Sequence, residues 1–220
     1  TSDIHGYLYP ETYADKSRTP LGLLAGMRRY KKDGNTLILD GGDLLQGSAL
    51  AMYCQKFQKD PSALAEAMNR AGYDFVTIGN HDFNYGYEYL TAYLRKLRAQ
   101  VLCANVKLMR EADRELIRPY EIVTLENGLR VAVIGIVTDY VNVWEQPENL
   151  REIRVTDPFE ALKEALSEIG DRADLKVCIY HGGYEADLAT GRILSTTGED
   201  VGYRICRELP LDILLTGHQH

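Results

Sequence analysis

Three observations predict an α/β fold for this 220-residue chain. Short apolar runs rich in β-branched residues, among them Thr36 to Leu39, Phe75 to Ile78 and Leu175 to Tyr180, have the length and composition of buried strands. They alternate with longer segments whose apolar residues recur at helical spacing, and repeated strand, helix, strand alternation favours a sheet covered by helices on both faces. A hydrophobic content of 45% over this length can bury a large core, so residues 1–220 are read as one domain.

The chain opens where a strand should be finishing. Asp3-Ile4-His5-Gly6 reads as the loop after a first strand whose body precedes Thr1. Leu21 to Tyr30 carries Leu23, Leu24 and Met27 at helical spacing and reads as a helix stopped by Gly34. Thr36 to Leu39 is the next strand and empties into Asp40-Gly41-Gly42-Asp43, after which Leu44 to Tyr53 continues as loop and helix. Asp60 as cap and Pro61 in the first turn start a helix that runs to Gly72. Phe75 to Ile78 then delivers Gly79-Asn80-His81-Asp82. Leu90, Tyr93, Leu94 and Leu97 give Tyr87 to Gln100 the spacing of an amphipathic helix, and Val101 to Ala104 is a strand closing on Asn105.

Tyr120 to Leu125 and Leu129 to Val137 flank Asn127-Gly128, a strong hairpin signal. Thr138 to Arg154 reads as a loop, either a substrate lid or a packed surface loop, and holds Trp144, the sole tryptophan. Thr156-Asp157-Pro158 starts a helix ending near Gly170. Leu175 to Tyr180 leads into His181-Gly182-Gly183, Asp187 to Gly198 is a polar loop, and Val201 to Leu209 is a short helix. A final strand, Asp212 to Thr216, empties into Gly217-His218-Gln219-His220.

A net charge of −7 and a pI near 5.3 disfavour a partner with a nucleic-acid phosphate backbone, although a small anion remains possible where cations sit in the site. No stretch is long and apolar enough to span a bilayer. Cys54, Cys103, Cys178 and Cys206 show no CxxC spacing and suggest neither a zinc finger nor a disulfide framework.

Chemistry concentrates at strand ends, where open α/β sheets bind ligands. Asp3 with His5, Asp43, Asn80 with His81, His181, and His218 with His220 occupy five such ends and account for all five histidines. Each group has a bland alternative as a polar turn, but random scatter would rarely place every histidine this way. Asp40 competes with Asp43, which is preferred because it lies past the strand end and can bridge two cations with its two oxygens. Asp82 offers a carboxylate that could orient a neighbour.

These blocks, Asp-x-His, Gly-Asp, Gly-Asn-His-Asp, a lone His and Gly-His-x-His, occur in the order found in calcineurin-like metallophosphoesterases, which the whole chain resembles. The resemblance implies that fold: mixed β-sheets sandwiched between helices in four α/β/β/α layers. It also implies two divalent ions, Mn, Zn or Fe, one held by Asp3, His5, Asp43 and His220 and the other by Asp43, Asn80, His181 and His218, with Asp43 bridging. Two ions about 3.5–4 Å apart would activate water to hydroxide and clamp an in-line displacement at phosphorus. His81 would protonate the leaving alkoxide or stabilise transition-state charge, with Asn80 and Asp82 beside it in the catalytic group.

Gly42 to Ser48, Gly79 to Gly86, Tyr180 to Gly183 and Leu215 to His220 look most like the bacterial nucleotidase branch, which holds 5'-nucleotidases and 2',3'-cyclic-nucleotide 2'-phosphodiesterase/3'-nucleotidases. The implied substrate is a small nucleotide rather than a nucleic-acid polymer. The resemblance also implies a C-terminal nucleoside-binding domain in the full-length protein and an extracytoplasmic site of action, with a cytoplasmic one as the alternative. Rival expectations are another phosphoesterase of the superfamily, such as a nucleotide-sugar hydrolase or protein phosphatase, or a non-catalytic metal-binding scaffold. One departure stands out. 5'-Nucleotidases usually carry Asp three residues after the motif histidine, whereas this chain has Asn84, which cannot supply a negative charge.

Overall fold

The computed structural model describes residues 1–9, 22–27 and 32–220. Its strands are β1 (Leu39–Asp40), β2 (Phe75–Val76), β3 (Gln100–Val101), β4 (Val106–Leu108), β5 (Tyr120–Thr124), β6 (Arg130–Val137), β7 (Ile153–Val155), β8 (Leu175–His181) and β9 (Ile213–Thr216). The helices are α1 (Leu23–Met27), α2 (Ala49–Tyr53), α3 (Ser62–Ala71), α4 (Gly86–Leu94), α5 (Val141–Trp144), α6 (Pro158–Ile169) and α7 (Gly202–Glu208).

β1, β2 and β3 form a parallel sheet in that order, and β5-β6-β8-β9 form a mixed sheet in which only the β5–β6 pair is antiparallel. Side-chain alternation along β6 shows how the layers stack. Val131 and Val133 pack with Phe75, Leu102, Val177 and Ile179 between the two sheets. Ala132, Ile134 and Ile136 point the other way, onto Phe159, Leu162, Leu166 and Ile169 of α6 and Ile205 of α7. Leu64 and Met68 of α3 and Leu90, Tyr93 and Leu94 of α4 cover the outer face of the first sheet beside Val76, Ile78 and Val101. Helix, sheet, sheet, helix is therefore the layer order, and β6 is an almost continuous apolar run because it is buried on both faces. The sheets touch backbone to backbone at Gly135, where an added Cβ would lie 1.9 Å from Leu102 O.

Several element boundaries differ from the sequence expectations for local reasons. Strand pairing begins at Leu39 because the Asp74 side chain accepts from Ile38 N in place of a ladder partner. Asp60 Oδ1 accepts from Ser62 N, so α3 starts at Ser62 rather than with Pro61 in its first turn. α4 stops at Leu94, since Lys96 N and Leu97 N bond three residues back and tighten the chain into turns before Gln100 joins β3. The antiparallel pair β4–β7 was absent from the expectations: each strand is three residues long, too short to show a period, and Ile153 and Arg154 fall in the segment read as loop. That segment also holds α5. The helix expected over residues 21–30 is seen as Leu23–Met27, and its expected ends lie outside the described residues.

Candidate metal centre

The loops after β1 and β2 interlock through two glycines. A Cβ at Gly42, whose φ is +90°, would lie 2.3 Å from Gly79 N, and one at Gly79 would lie 2.1 Å from Asp43 Oδ1. A buried carboxylate ties the same loops together. Asp82 Oδ2 accepts from Gly79 N at 2.9 Å and Asp43 N at 3.0 Å, and Oδ1 accepts from Leu44 N and Leu45 N, both at 2.9 Å. The N-terminal loop docks against this platform, with Asp3 N donating to Gly42 O at 3.0 Å and His5 N to Asp43 O at 2.7 Å.

Asp3, His5, Asp43, His218 and His220 all have positive φ, and Lys59 is the one other non-glycine residue of this kind among those described. Left-handed backbone is uncommon outside glycine and persists where surrounding structure over-determines it. Here it occurs on separate loops whose Asp and His side chains come together.

Two overlapping groups result. Ligand atoms of Asp3, His5 and His220 lie within 4.8 Å of one another, and so do those of Asp3, Asp43 and His181. Asp43 Oδ2 lies 3.2 Å from His181 Nε2 and 3.8 Å from His5 Nε2, between the groups. His181 Nε2 is 3.0 Å from Asn80 Oδ1. Ring orientations suit a cation: His5 Nδ1 faces Gln46 O at 2.8 Å and His181 Nδ1 faces Gly41 O at 2.6 Å, so each Nδ1 carries a hydrogen and Nε2 is the nitrogen that can turn a lone pair to an ion, in His181 once the proton facing Asp43 is lost. His5 Nε2 then meets His220 Nε2 at 3.3 Å, beside Asp3 Oδ1, which is 3.6 Å from His220 Nε2. Lone pairs gathered this closely need a proton or a cation among them, and the mixed oxygen and nitrogen donors fit Mn²⁺, Fe²⁺ or Zn²⁺.

The electrostatics point the same way. Burial opposes a charge on His181, yet Asp43, Asp3 and the Gly41 carbonyl raise its pKa to about 9. Burial alone would raise the Asp43 carboxyl, but His181, with His81 adding, holds it below the usual carboxylate range. A buried, strongly paired acid and base are what a cation would find to displace a proton from.

His218 sits differently from the other expected ligands. Its Nε2 is 2.9 Å from Glu199 Oε1 and its ring stacks on Trp144 at 5.5 Å, while His218 N donates to Asp3 Oδ2 at 3.0 Å. Nδ1 is the nitrogen left for an ion. Asp40, the competing carboxylate, is buried behind the loop and accepts from Gly42 N.

His81 stands at the edge of this cluster. Its backbone N donates to Asp43 Oδ1 at 2.7 Å, and its ring meets that of His5 edge-on at 5.4 Å. Beside it opens a cavity of about 350 Å³ lined by Asn80, His81, Asn84, Val141, Trp144, Glu145 and His218. Glu145 and Glu199 were not singled out from sequence. They lie in or beside segments read as loops, which carry no period to mark them.

Comparisons with known proteins agree with this geometry. The family profile described as calcineurin-like phosphoesterase matches residues 1–220. The chain is 30% identical, over its whole length, to a trifunctional nucleotide phosphoesterase of Bacillus subtilis, of which it spans 16%. It is 29% identical, again over its whole length, to a 2',3'-cyclic-nucleotide 2'-phosphodiesterase/3'-nucleotidase of Yersinia enterocolitica, of which it spans 35%. A crystal structure of a candidate 5'-nucleotidase from Staphylococcus aureus superposes with a TM-score of 0.88 at 35% identity, covering all of this chain and 44% of that one. The chain thus spans well under half the length of these curated relatives.

Proposed function

Because this chain belongs to the calcineurin-like phosphoesterase family, we propose that it is the catalytic domain of a dinuclear-metal hydrolase that cleaves phosphoester bonds of nucleotides, of the 5'-nucleotidase or 2',3'-cyclic phosphodiesterase/3'-nucleotidase type. The observation that carries this is the convergence of Asp3, His5, Asp43, His181 and His220 on two overlapping ligand groups beside an open cavity. One ion would be held by Asp3, His5, Asp43 and His220, the other by Asp43, Asn80, His181 and His218. When bound, such ions supply Lewis-acid polarisation of the phosphoryl group and a nucleophile at neutral pH.

The chain's own residues do the rest. His81, at the cavity edge, gives a proton to the leaving oxygen. Asp82 is a positioning residue: with both oxygens taken by four backbone N–H groups, it fixes the loops that carry Asp43 and Asn80. Trp144 walls the cavity with an apolar face, 43% exposed, against which the organic part of a substrate can rest. Recognition of the nucleoside is assigned to a separate C-terminal domain, which accords with the fraction of each relative that this chain spans. By the resemblance noted from the sequence, the site of action is assigned outside the cytoplasm; separately, among the described residues no helix is long and apolar enough to cross a membrane.

An activity panel on the metal-reconstituted protein tests the proposal, using 5'-, 3'- and 2',3'-cyclic nucleotides, nucleotide sugars and bis(p-nitrophenyl) phosphate. Metal-dependent turnover of nucleotides above nucleotide sugars is the expected result. Turnover of nucleotide sugars alone would move the assignment within the family, and metal binding with no turnover of any ester would indicate a scaffold.

A further inference from the structure

Asn84 leaves His81 without a charged partner three residues on, but a carboxylate reaches it through that amide. His81 Nδ1 lies 2.8 Å from Asn84 Oδ1, and Asn84 Nδ2 lies 2.7 Å from Oε2 of Glu145, the residue just after α5 that caps it. The other Glu145 oxygen, Oε1, accepts from Gln146 N at 2.7 Å and Asn149 Nδ2 at 2.9 Å. Asn149 Nδ2 also donates to Asn84 O at 2.9 Å, closing the ring of contacts.

The polarity of this chain of contacts is fixed from its far end. A carboxylate offers only acceptors, and here both oxygens already face N–H groups. The Asn84 amide must therefore turn its NH₂ to Glu145 and its carbonyl to His81. A carbonyl cannot donate, so His81 Nδ1 must carry the hydrogen. Nε2 is then the nitrogen free to handle the reaction's proton.

We propose that Glu145 is a positioning residue which, acting through Asn84, keeps a hydrogen of His81 on Nδ1 throughout, so that the proton given to the leaving group comes from Nε2 and is returned there; this role in turnover rests on the phosphoester-hydrolase function proposed above. The balance is simple. Water adds to phosphorus and gives up a proton to solvent, the bond to the leaving oxygen breaks, and that oxygen takes the proton from His81 Nε2. The ring is left in the form whose Nδ1–H Asn84 accepts, and solvent returns the proton to Nε2.

Glu145→Gln tests this with little change of shape. The new amide keeps its oxygen for Gln146 N and Asn149 and turns its NH₂ to Asn84. Asn84 then flips, and His81 becomes the Nε2–H tautomer. With ¹⁵N-histidine labelling of the zinc-loaded protein, the His81 signals, assigned by their loss in His81→Ala, should show the hydrogen on Nδ1 in the native chain and on Nε2 in E145Q. Metal content should be unchanged, while turnover of an alkyl phosphodiester falls roughly 10²-fold and that of a p-nitrophenyl ester far less.

The second arm is rescue. Asn84→Asp in the E145Q background supplies two oxygens, one accepting from His81 Nδ1–H and the other from the glutamine NH₂, so it should restore tautomer and rate. Alone, Asn84→Asp sets two carboxylates against each other at the 2.7 Å contact and should lower activity. The sign of the Asn84→Asp effect thus reverses with the residue at position 145. Retention of Nδ1–H in E145Q, or the same sign in both backgrounds, overturns the proposal. If no ester is turned over at all, the tautomer arm alone decides it, and only the function proposed for the domain fails.

Discussion

Replacing Asp82 by Asn separates a residue that ties loops from one that touches substrate. The carboxylate satisfies four buried backbone donors, two on each oxygen. A carboxamide of the same shape keeps one oxygen, so whichever way it turns, two N–H groups face an NH₂. Each buried donor left unpaired costs about 1–3 kcal/mol, a gross penalty of about 2–6 kcal/mol. Burial and the neighbouring Asp43 charge push the Asp82 carboxyl above the usual range, so removing the charge relieves part of this. The expected loss is therefore in the lower half, about 2–4 kcal/mol. A domain of ordinary stability, about 5–15 kcal/mol, survives that loss with a visibly lower midpoint.

Denaturant unfolding of both proteins measures the difference, and elemental analysis follows the site. Asp43 N and Gly79 N lose their shared acceptor if the amide NH₂ takes the Oδ2 position, so Asp82→Asn should also bind metal less tightly. If the variant instead unfolds within about 0.5 kcal/mol of the parent, keeps full metal and has lost activity, Asp82 acts on the substrate and the loop-tying role is wrong.

Three further outcomes follow from the site. Asp43→Asn should lower occupancy of both ions, because Oδ2 lies between the two ligand groups, whereas His220→Ala should mainly affect one; equal, full metal content in Asp43→Asn would remove the bridging role. Metal affinity should rise with pH: His181, held at about 9 in the metal-free protein, must surrender its proton to ligate, so binding should release about one proton from this residue below that value and tighten up to about tenfold per pH unit before levelling off above it. Calorimetry in buffers of different ionisation enthalpy counts that proton, and an affinity flat across neutral and mildly alkaline pH would contradict it. His81→Ala should keep both ions yet slow substrates with poor leaving groups by roughly 10² to 10⁴-fold, sparing p-nitrophenyl esters; a lost ion, or equal damage to both substrates, would make His81 a ligand or an orienting group instead.

What could be seen in the sequence was whatever repeats locally. The β-branched runs at Phe75 and Leu175 and the Asn127-Gly128 turn show their periods within a few residues, and they lead to the observed sheets and to the strand ends where the histidines cluster. The three-residue strands β4 and β7 offered no such repeat. Long-range polar partners are harder still. Glu145 reaches Asn84 across 61 residues and Glu199 reaches His218 across 19, and each comes from a segment without regular pattern.

The left-handed backbone at Asp3, His5, Asp43, His218 and His220 belongs to the same class of facts. Asp and His tolerate it better than most residues but do not demand it, and here it is imposed by contacts such as Asp3 N to Gly42 O, His5 N to Asp43 O and Asp43 N to Asp82 Oδ2. Asn84 shows the consequence for function. Read along the chain, it is a histidine partner that has lost its charge. In three dimensions, it is the middle of a three-residue contact whose charge sits on Glu145, and the direction of each hydrogen bond follows from that carboxylate's inability to donate.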